Sequence, residues 1–492
     1  MYETTMDRNL FIFIGYIVFT LYTVFIMLSG IFLEKHTRIN KTVCRKLTHI
    51  FSAFIWVICY IFFGYSLHWL ILNGISTVAL GFVIFNKNFK AFGRDDAKNS
   101  VGLFYFGLST FAVATVCYLI GPELYLYTGI AYYCLTLGDG FAPLTAMLAG
   151  ERNRSLLPGK TVVGSLTVYV VSFLSTLVFS LIFDMRLSVL FMLSVAALTC
   201  IAEFYGVKGL DNVFIEFSVF GYILLYHYGL VSVPLQIVLA VSPVLAWIAV
   251  GSKSMSAGAG ISAFLLFALT GFFGNAYLPI LFLAFLFSVS VAVSVVRKRL
   301  LRNAENKFGG GGPRRSKQIV AVGLFALIAL AIYYYSGIRL FYYLFFLALA
   351  EQFADSMASD IGSFTKKRNI NIVTFKPIEK GLSGGVSLLG TLCALASGFI
   401  ILAIPLIAGA ISPTVYVCLS LIAFLGTLID SLAGALLQAL YRCSDCGKLT
   451  EIKNHCGKRA KLIKGFDLID NTAVNYIAGF FTCVLGGLLY FI

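Results

Sequence analysis

Charged side chains are scarce. Asp, Glu, Lys and Arg make up 12% of the 492 residues, against 59% hydrophobic residues and a mean hydropathy of +0.91. A soluble domain of this size cannot hide that much apolar surface, so a soluble fold is excluded. The sequence also lacks a G-x-x-x-x-G-K-[ST] loop and the Gly-rich strand of soluble kinases, which removes a conventional nucleotide-binding fold. No disulfide framework is visible among the eleven cysteines. Cys59, Cys117, Cys134, Cys200, Cys393, Cys418 and Cys483 stand singly in apolar runs, as small hydrophobes do. The first apolar run has neither a basic leader nor a small-residue cleavage site, so it reads as a retained helix and not as a signal peptide.

What is present is a series of apolar segments of about 20 residues, the length that crosses a bilayer as helix. Sixteen can be drawn: 10–33, 47–64, 67–85, 101–120, 124–149, 162–183, 187–204, 213–229, 232–250, 256–275, 278–296, 319–336, 338–362, 384–408, 413–440 and 469–491. The expected fold is an all-α polytopic integral membrane protein with about sixteen transmembrane helices. Alternate threading puts every Lys and Arg except Arg8, Arg186 and Arg339 on one side, which the positive-inside tendency makes cytoplasmic. The net charge of +15 therefore reports topology and calls for no nucleic acid. Outer connections are minimal and inner ones long and basic, so soluble partners are expected to meet the protein from the cytoplasm. The Gly-rich loop 297–318, RKRLLRNAENKFGGGGPRRSKQ, suits contact with anionic lipid headgroups, with a regulatory or substrate role as the alternative.

The chain divides into two modules of similar plan, 1–229 and 230–492. Asp139 precedes Lys160 and Gly164 at nearly the spacing by which Asp360 precedes Lys380 and Gly384. Each half also ends with an Asp-Asn pair at the start of an apolar segment, Asp211-Asn212 and Asp470-Asn471. An Asp within a membrane segment is costly unless paired, solvated or bound to a cation. At about 1.5 Å per residue, Asp139 lies about 22 Å along its helix from Leu124, near the cytoplasmic rim. Asp430 sits at similar depth, while Glu351 and Asp355 are spaced to share one helix face. Carboxylates beside Lys, Thr or Ser and closely spaced glycines suit a metal–phosphate ligand. Carboxylates hold Mg2+, cations and backbone N–H groups hold phosphate, and glycine lets the backbone come close. Arg45, Lys46 and His49 cluster at the mouth of the second segment, where His49 can bond a phosphate or take a proton.

The ordered set R-K-x-x-H, G-D-G-x-A, K-T-x-x-G-S and Asp-Asn over residues 40–215 resembles the membrane-embedded polyprenol kinases, which include phytol kinase and dolichol kinase. That resemblance implies CTP as phosphoryl donor and site roles for Arg45, Lys46, His49, Asp139, Lys160, Thr161, Gly164, Ser165, Asp211 and Asn212. Pro143 departs from the pattern, where an acid is frequent, and puts the number of metal-bound carboxylates in doubt. From Ser254 onward the chain resembles the family that contains phytyl-phosphate kinase. The matching pieces are A-D-S-x-A-S-D-I-G (354–362), G-G-V-S-L-L-G-T (384–391), G-T-L-I-D-S-L-x-G-A (426–435) and D-N-x-A-V-N (470–475), with C-x-x-C-G and a later H-C-G (443–457). It implies phosphorylation of an isoprenyl monophosphate, with Asp355, Asp360, Asp430 and Asp470 on metal. Lys380, Ser383, Gly384, Gly385, Ser387, Asn471 and Asn475 fall to phosphate or substrate.

Together the resemblances imply a bifunctional isoprenoid kinase that turns a prenol into its diphosphate with Mg2+ and a nucleoside triphosphate. Asp139 and Asp211 would take metal, Lys160 and Arg45 phosphate, and His49 or Asp139 the hydroxyl proton. A membrane cytidylyltransferase uses the same parts and is the alternative enzyme. A lipid transporter is the alternative outside catalysis, but it calls for charges at mid-membrane, and these lie toward one face. In the cytoplasmic loop 441–467, Cys443 and Cys446 have zinc-knuckle spacing, with His455 and Cys456 as further candidate ligands. Adjacent residues rarely share one metal, so thiols that merely shape the loop are the other reading. Chain length of the isoprenoid and oligomeric state are not legible.

Overall fold

The computed structural model describes residues 8–36, 40–85, 97–150, 155–157, 159–206, 209–300, 313–365, 368–379 and 381–491. The chain forms two compact units, Met1–Leu245 and Ala246–Ile492. The first holds α1 (Arg8–His36), α2 (Lys41–Phe51), α3 (Ala53–Phe62), α4 (Leu67–Phe85), α5 (Ala97–Ile120), α6 (Tyr125–Tyr133), α7 (Asp139–Leu148), α8 (Val162–Ile182), α9 (Val189–Tyr205) and α10 (Asp211–His227). The unit boundary falls within α11 (Val233–Gly251). The second unit holds α12 (Ala257–Gly274), α13 (Tyr277–Leu300), α14 (Ser316–Ser336), α15 (Arg339–Gly362), α16 (Leu388–Ile407), α17 (Pro413–Leu436) and α18 (Asn471–Gly487).

Every predicted apolar segment contains helix. Two are broken: at Ser52, between α2 and α3, and at a π-helical turn, Cys134–Gly138, between α6 and α7. Ten helices among the described residues are long and apolar enough to cross a membrane. The count falls below sixteen because α9, α10 and the apolar parts of α4 and α13 are shorter, the segment 124–149 is divided between the short helices α6 and α7, and α15 carries Glu351, Asp355 and Asp360. The protein is a helical integral membrane protein, and its outer surface fits that solvent: Leu148 is 88% exposed and Ile407 85%.

Helix ends follow from local chemistry. Thr161, Ser188, Ser256, Ser387 and Ser412 each accept a backbone N–H of the first turn, opening α8, α9, α12, α16 and α17. Asn275 and Gly337 close α12 and α14 in the left-handed region. Small residues let the helices approach closely: Gly390, Ala394, Ser397 and Gly398 are buried on α16. In unit 1, α8 packs on α7 and α9, and α10 on α5 and α9. In unit 2, α15 is central, packed by α13, α14, α16, α17 and α18.

The connections contain short strands that the apolar pattern does not announce. Strand β1 (Ser155–Leu157) pairs with β2 (Lys160–Thr161) just before α8. Strand β3 (Asn369–Asn371) lies between β4 (Pro377–Ile378) and β5 (Gly385–Val386) before α16.

Candidate functional site

In unit 1 the site forms where α2 crosses the start of α7. The π turn Cys134–Gly138 shifts the helical register directly ahead of Asp139, a device often found at functional sites. Gly140 permits the crossing, because a Cβ there would lie 2.5 Å from Ile50 Cγ1. Lys46 Nζ thereby donates to Asp139 Oδ2 at 2.5 Å and to its carbonyl at 3.2 Å. His49 Nε2 lies 3.5 Å from the same carboxylate oxygen and 3.2 Å from the Leu135 carbonyl. Arg45, on the same short helix, is exposed.

Lys160, in β2, forms the other part of the site. Its Nζ donates to Glu203 Oε1 at 2.6 Å and lies 3.8 Å from Asp211 Oδ2. Burial works to lower the Lys160 pKa, but the Glu203, Asp211 and Asp139 carboxylates outweigh it and hold the ammonium above its ordinary range. One lysine thus senses three acids drawn from α7, α9 and α10. Sequence reading missed Glu203. Its signal was available, since a lone acid in the apolar run LTCIAEFY is as costly as Asp139.

Three expected phosphate ligands of this unit are Thr161, Ser165 and Asn212. Thr161 Oγ1 caps α8 by accepting Gly164 N at 3.2 Å. Ser165 is buried within the bundle and its Oγ has no hydrogen-bond partner. Asn212 ties the start of α10 to α5 by donating to the Gly102 carbonyl at 2.8 Å, while its own N–H bonds Asp211 Oδ1 at 3.2 Å.

In unit 2 the acids gather on α15 and α17. Glu351 is fully buried; its Oε2 accepts from Gln352 Nε2 at 2.8 Å, and its Oε1 has no hydrogen-bond partner. Gln352 in turn meets Asn475 of α18, whose Nδ2 donates to it at 3.4 Å. Gly426 presses α17 onto this point, because a Cβ there would lie 2.5 Å from Glu351 Cγ. Asp430 follows one turn later, within electrostatic range of Glu351 and Asp355, and its buried Oδ2 has no hydrogen-bond partner among the described residues. Asp360 lies within range of Asp355. Among the described residues, no Lys or Arg pairs with Glu351, Asp355 or Asp430.

Asp470, expected on metal, stands at the N-terminus of α18. Its Oδ1 accepts the Thr472 and Ala473 N–H groups, capping α18, and its Oδ2 pairs with Lys317. Burial raises its pKa, but the Lys317 bond and the two N–H groups outweigh that and hold the carboxyl below its usual range. Asn471 is exposed beside it. Lys380 lies outside the described residues.

The correspondence between halves is also shifted from the expected one. Ser387 opens α16 by accepting Gly390 N, as Thr161 opens α8 by accepting Gly164 N, so Gly390 and not Gly384 matches Gly164. Gly384 has φ +80°, and a Cβ there would lie 2.4 Å from Ala435 Cβ. Gly385 belongs to β5, opposite Asn371. The Ser383 N–H bonds Glu451 Oε1 at 2.7 Å, a contact sequence gave no means of finding. Cys443, Cys446, His455 and Cys456 come together in the connection from α17 to α18. There the Cys443 thiol is pulled down to about 6 by the Cys446 backbone N–H and the His455 ring.

Comparison with known proteins identifies one family region. Residues 240–483, nearly all of unit 2, match the integral membrane protein family DUF92. The chain is similar to Protein PGR of Arabidopsis thaliana, 34% identical over 142 residues, covering 27% of this chain and 48% of that protein. It is 32% identical over 91 residues to an uncharacterized membrane protein of Synechocystis sp., covering 18% and 35%. An uncharacterized membrane protein of Methanocaldococcus jannaschii is 28% identical over 184 residues, covering 37% and 72%. The chain spans about half or less of the length of the first two. No solved structure matches it.

Proposed function

We propose, starting from a C-terminal unit that matches the DUF92 integral membrane family, that the chain is a two-step isoprenoid kinase. Unit 1 phosphorylates a prenol and unit 2 phosphorylates the resulting monophosphate, each with a nucleoside triphosphate, CTP foremost, drawn from the cytoplasm. The observation that carries this reading is the acid cluster of unit 2, where Glu351 Oε1 and Asp430 Oδ2 are buried without a hydrogen-bond partner among the described residues, within electrostatic range of Asp355. Carboxylates within electrostatic range of one another repel unless a proton or a cation relieves them, and hard oxygen donors suit Mg2+. Glu351, Asp355 and Asp430 would hold the ion, with Asp360 at the edge. When bound, Mg2+ offsets charge on a triphosphate.

Unit 1 is built differently. Lys46 and Lys160 already meet the acids, so Asp139 needs no metal to balance its charge, and Asp211 is the acid more open to one. The two lysines would take the phosphates, and His49, 3.5 Å from Asp139, would hold the proton of a prenol hydroxyl. The acceptor in unit 2 is a phosphate already largely ionised near neutral pH, so no counterpart of His49 is required there.

The test is product analysis with purified full-length protein, a panel of prenols and CTP labelled at either end. Label from the γ position is expected in a lipid monophosphate and then in a diphosphate. Transfer of the α-labelled CMP group into the lipid, with the γ label leaving as pyrophosphate, would make the protein a cytidylyltransferase. No label in lipid, with movement of lipid between leaflets, would make it a transporter.

A further inference from the structure

The connection between α17 and α18 folds as a small β module. Strand β6 (Leu440–Arg442) lies between β7 (Leu449–Thr450) and β10 (Lys461–Lys464), and β8 (Asn454–His455) pairs with β9 (Lys458–Arg459). Its buried apolar set is Ala439, Tyr441 and Ala460. A core that small does not hold a fold, and modules of this size rely on a staple.

Donor atoms of Cys443, Cys446, His455 and Cys456 all lie within 4.8 Å of one another. His455 Nδ1 is 3.2 Å from Cys456 Sγ and 3.5 Å from Cys446 Sγ. In a tetrahedral zinc site, ligands at about 2.0–2.3 Å from the metal are roughly 3.5–3.8 Å apart. The four side chains are therefore already close to the vertices of such a site. Thiolate-rich donors select zinc over the hard cations that suit the carboxylate cluster.

The backbone removes the objection that His455 and Cys456 are neighbours. Along a strand, neighbours point to opposite faces. Here Cys456 has φ +53° and Gly457 φ +77°, so the hairpin turns at the cysteine itself and both side chains reach one point. A left-handed cysteine is strained, and a metal bond offsets that strain. Gly447, at φ +69°, turns the chain after Cys446 in the same way.

The module also grips the turn before α16. Glu451 lies between the two ligand pairs in sequence; its Oε1 accepts the Ser383 N–H and its Oε2 accepts from Gln438 Nε2, both at 2.7 Å. Ser383 precedes Gly384, which sits hard against Ala435. We propose that Cys443, Cys446, His455 and Cys456 bind one zinc ion, and that the metal-stapled module clips the Ser383–Gly385 turn in place through Glu451. Zinc is not part of the phosphoryl-transfer proposal, and its presence can be tested without any activity.

Elemental analysis of the purified full-length protein is expected to give about one zinc per chain. Cys446→Ser and Cys456→Ser are expected to lose most of it, and Cys418→Ser, on α17, to retain it. A wild-type protein without zinc, with iron in its place, or with zinc retained in both loop variants overturns the site. Hydrogen exchange tests the clip. Glu451→Ala keeps zinc but removes the acceptor of the Ser383 N–H, and is expected to speed exchange at the Ser383 amide at least tenfold, and Cys446→Ser to do the same. Unchanged Ser383 exchange in the zinc-loaded Glu451→Ala protein overturns the clip.

Discussion

Replacing Lys160 by Met tests whether one buried lysine holds the acids of unit 1 together. Lys160 Nζ lies 2.6 Å from Glu203 and 3.8 Å from Asp211, with side-chain exposures of 14%, 8% and 19% in that order. At an effective dielectric of about 20, those separations correspond to attractions of about 6 and about 4 kcal/mol. Desolvation of the three groups offsets most of this, so the intact network adds little net stability. Deleting one partner is different, because the buried Glu203 carboxyl is left without its counter-charge, at a cost of about 3–5 kcal/mol. Adding Glu203→Gln removes the orphan carboxyl and is expected to return about half of the loss. Opening can be followed in membranes by thiol labelling of Cys134, which is fully buried in the π turn packed on α8. At about 1.4 kcal/mol per tenfold, Lys160→Met is expected to speed that labelling about 100- to 4000-fold. If the two substitutions add within about 0.5 kcal/mol, Lys160 and Glu203 do not share a buried pair and the reasoning fails.

Gly384→Ala is expected to lower the thermal midpoint well beyond the effect of Gly337→Ala. Both glycines have positive φ, but Gly337 has open space around it whereas Gly384 faces Ala435; equal shifts would contradict the packing. The depressed Asp470 carboxyl contributes stability that is present above its unfolded value, about 3.9, and lost as pH falls through the lower folded value. Asp470→Asn is therefore expected to flatten thermal stability below about pH 4. At neutral pH it changes little, since Asn also caps helices and the Lys317 pair is about half exposed. Magnesium at about 100 times its dissociation constant is expected to stabilise the wild type by about 2.7 kcal/mol, and Asp430→Asn to abolish that gain. An identical magnesium response in the two proteins would remove the ion from this cluster.

The helical plan was legible because apolar runs of bilayer length carry their own signal, and each of them is helical. The acids Asp139, Asp355 and Asp430 were legible because a carboxylate in such a run demands a partner. The same rule extends to Glu203, which lacked only a neighbouring motif to draw attention to it. Tertiary partners were not legible. Nothing in CRKLTHIF says that Lys46 and His49, and not Arg45, meet Asp139, because that depends on α2 crossing at Gly140. The Asp-Asn pair at 470–471 resembled a ligand motif, yet its spacing to Thr472 and Ala473 is that of a helix cap. Strands of two or three residues carry no periodicity, so the hairpins of the connections, and with them the Glu451 contact to Ser383, were beyond reach.

Two aspartates offer the most direct test of the account. Purified full-length protein would be given γ-labelled CTP with either a prenol or a prenyl monophosphate. The account predicts that Asp139→Asn loses phosphorylation of the alcohol and keeps that of the monophosphate, while Asp430→Asn does the reverse. Equal loss of both activities in each variant, or of neither, would contradict two sites with separate chemistry.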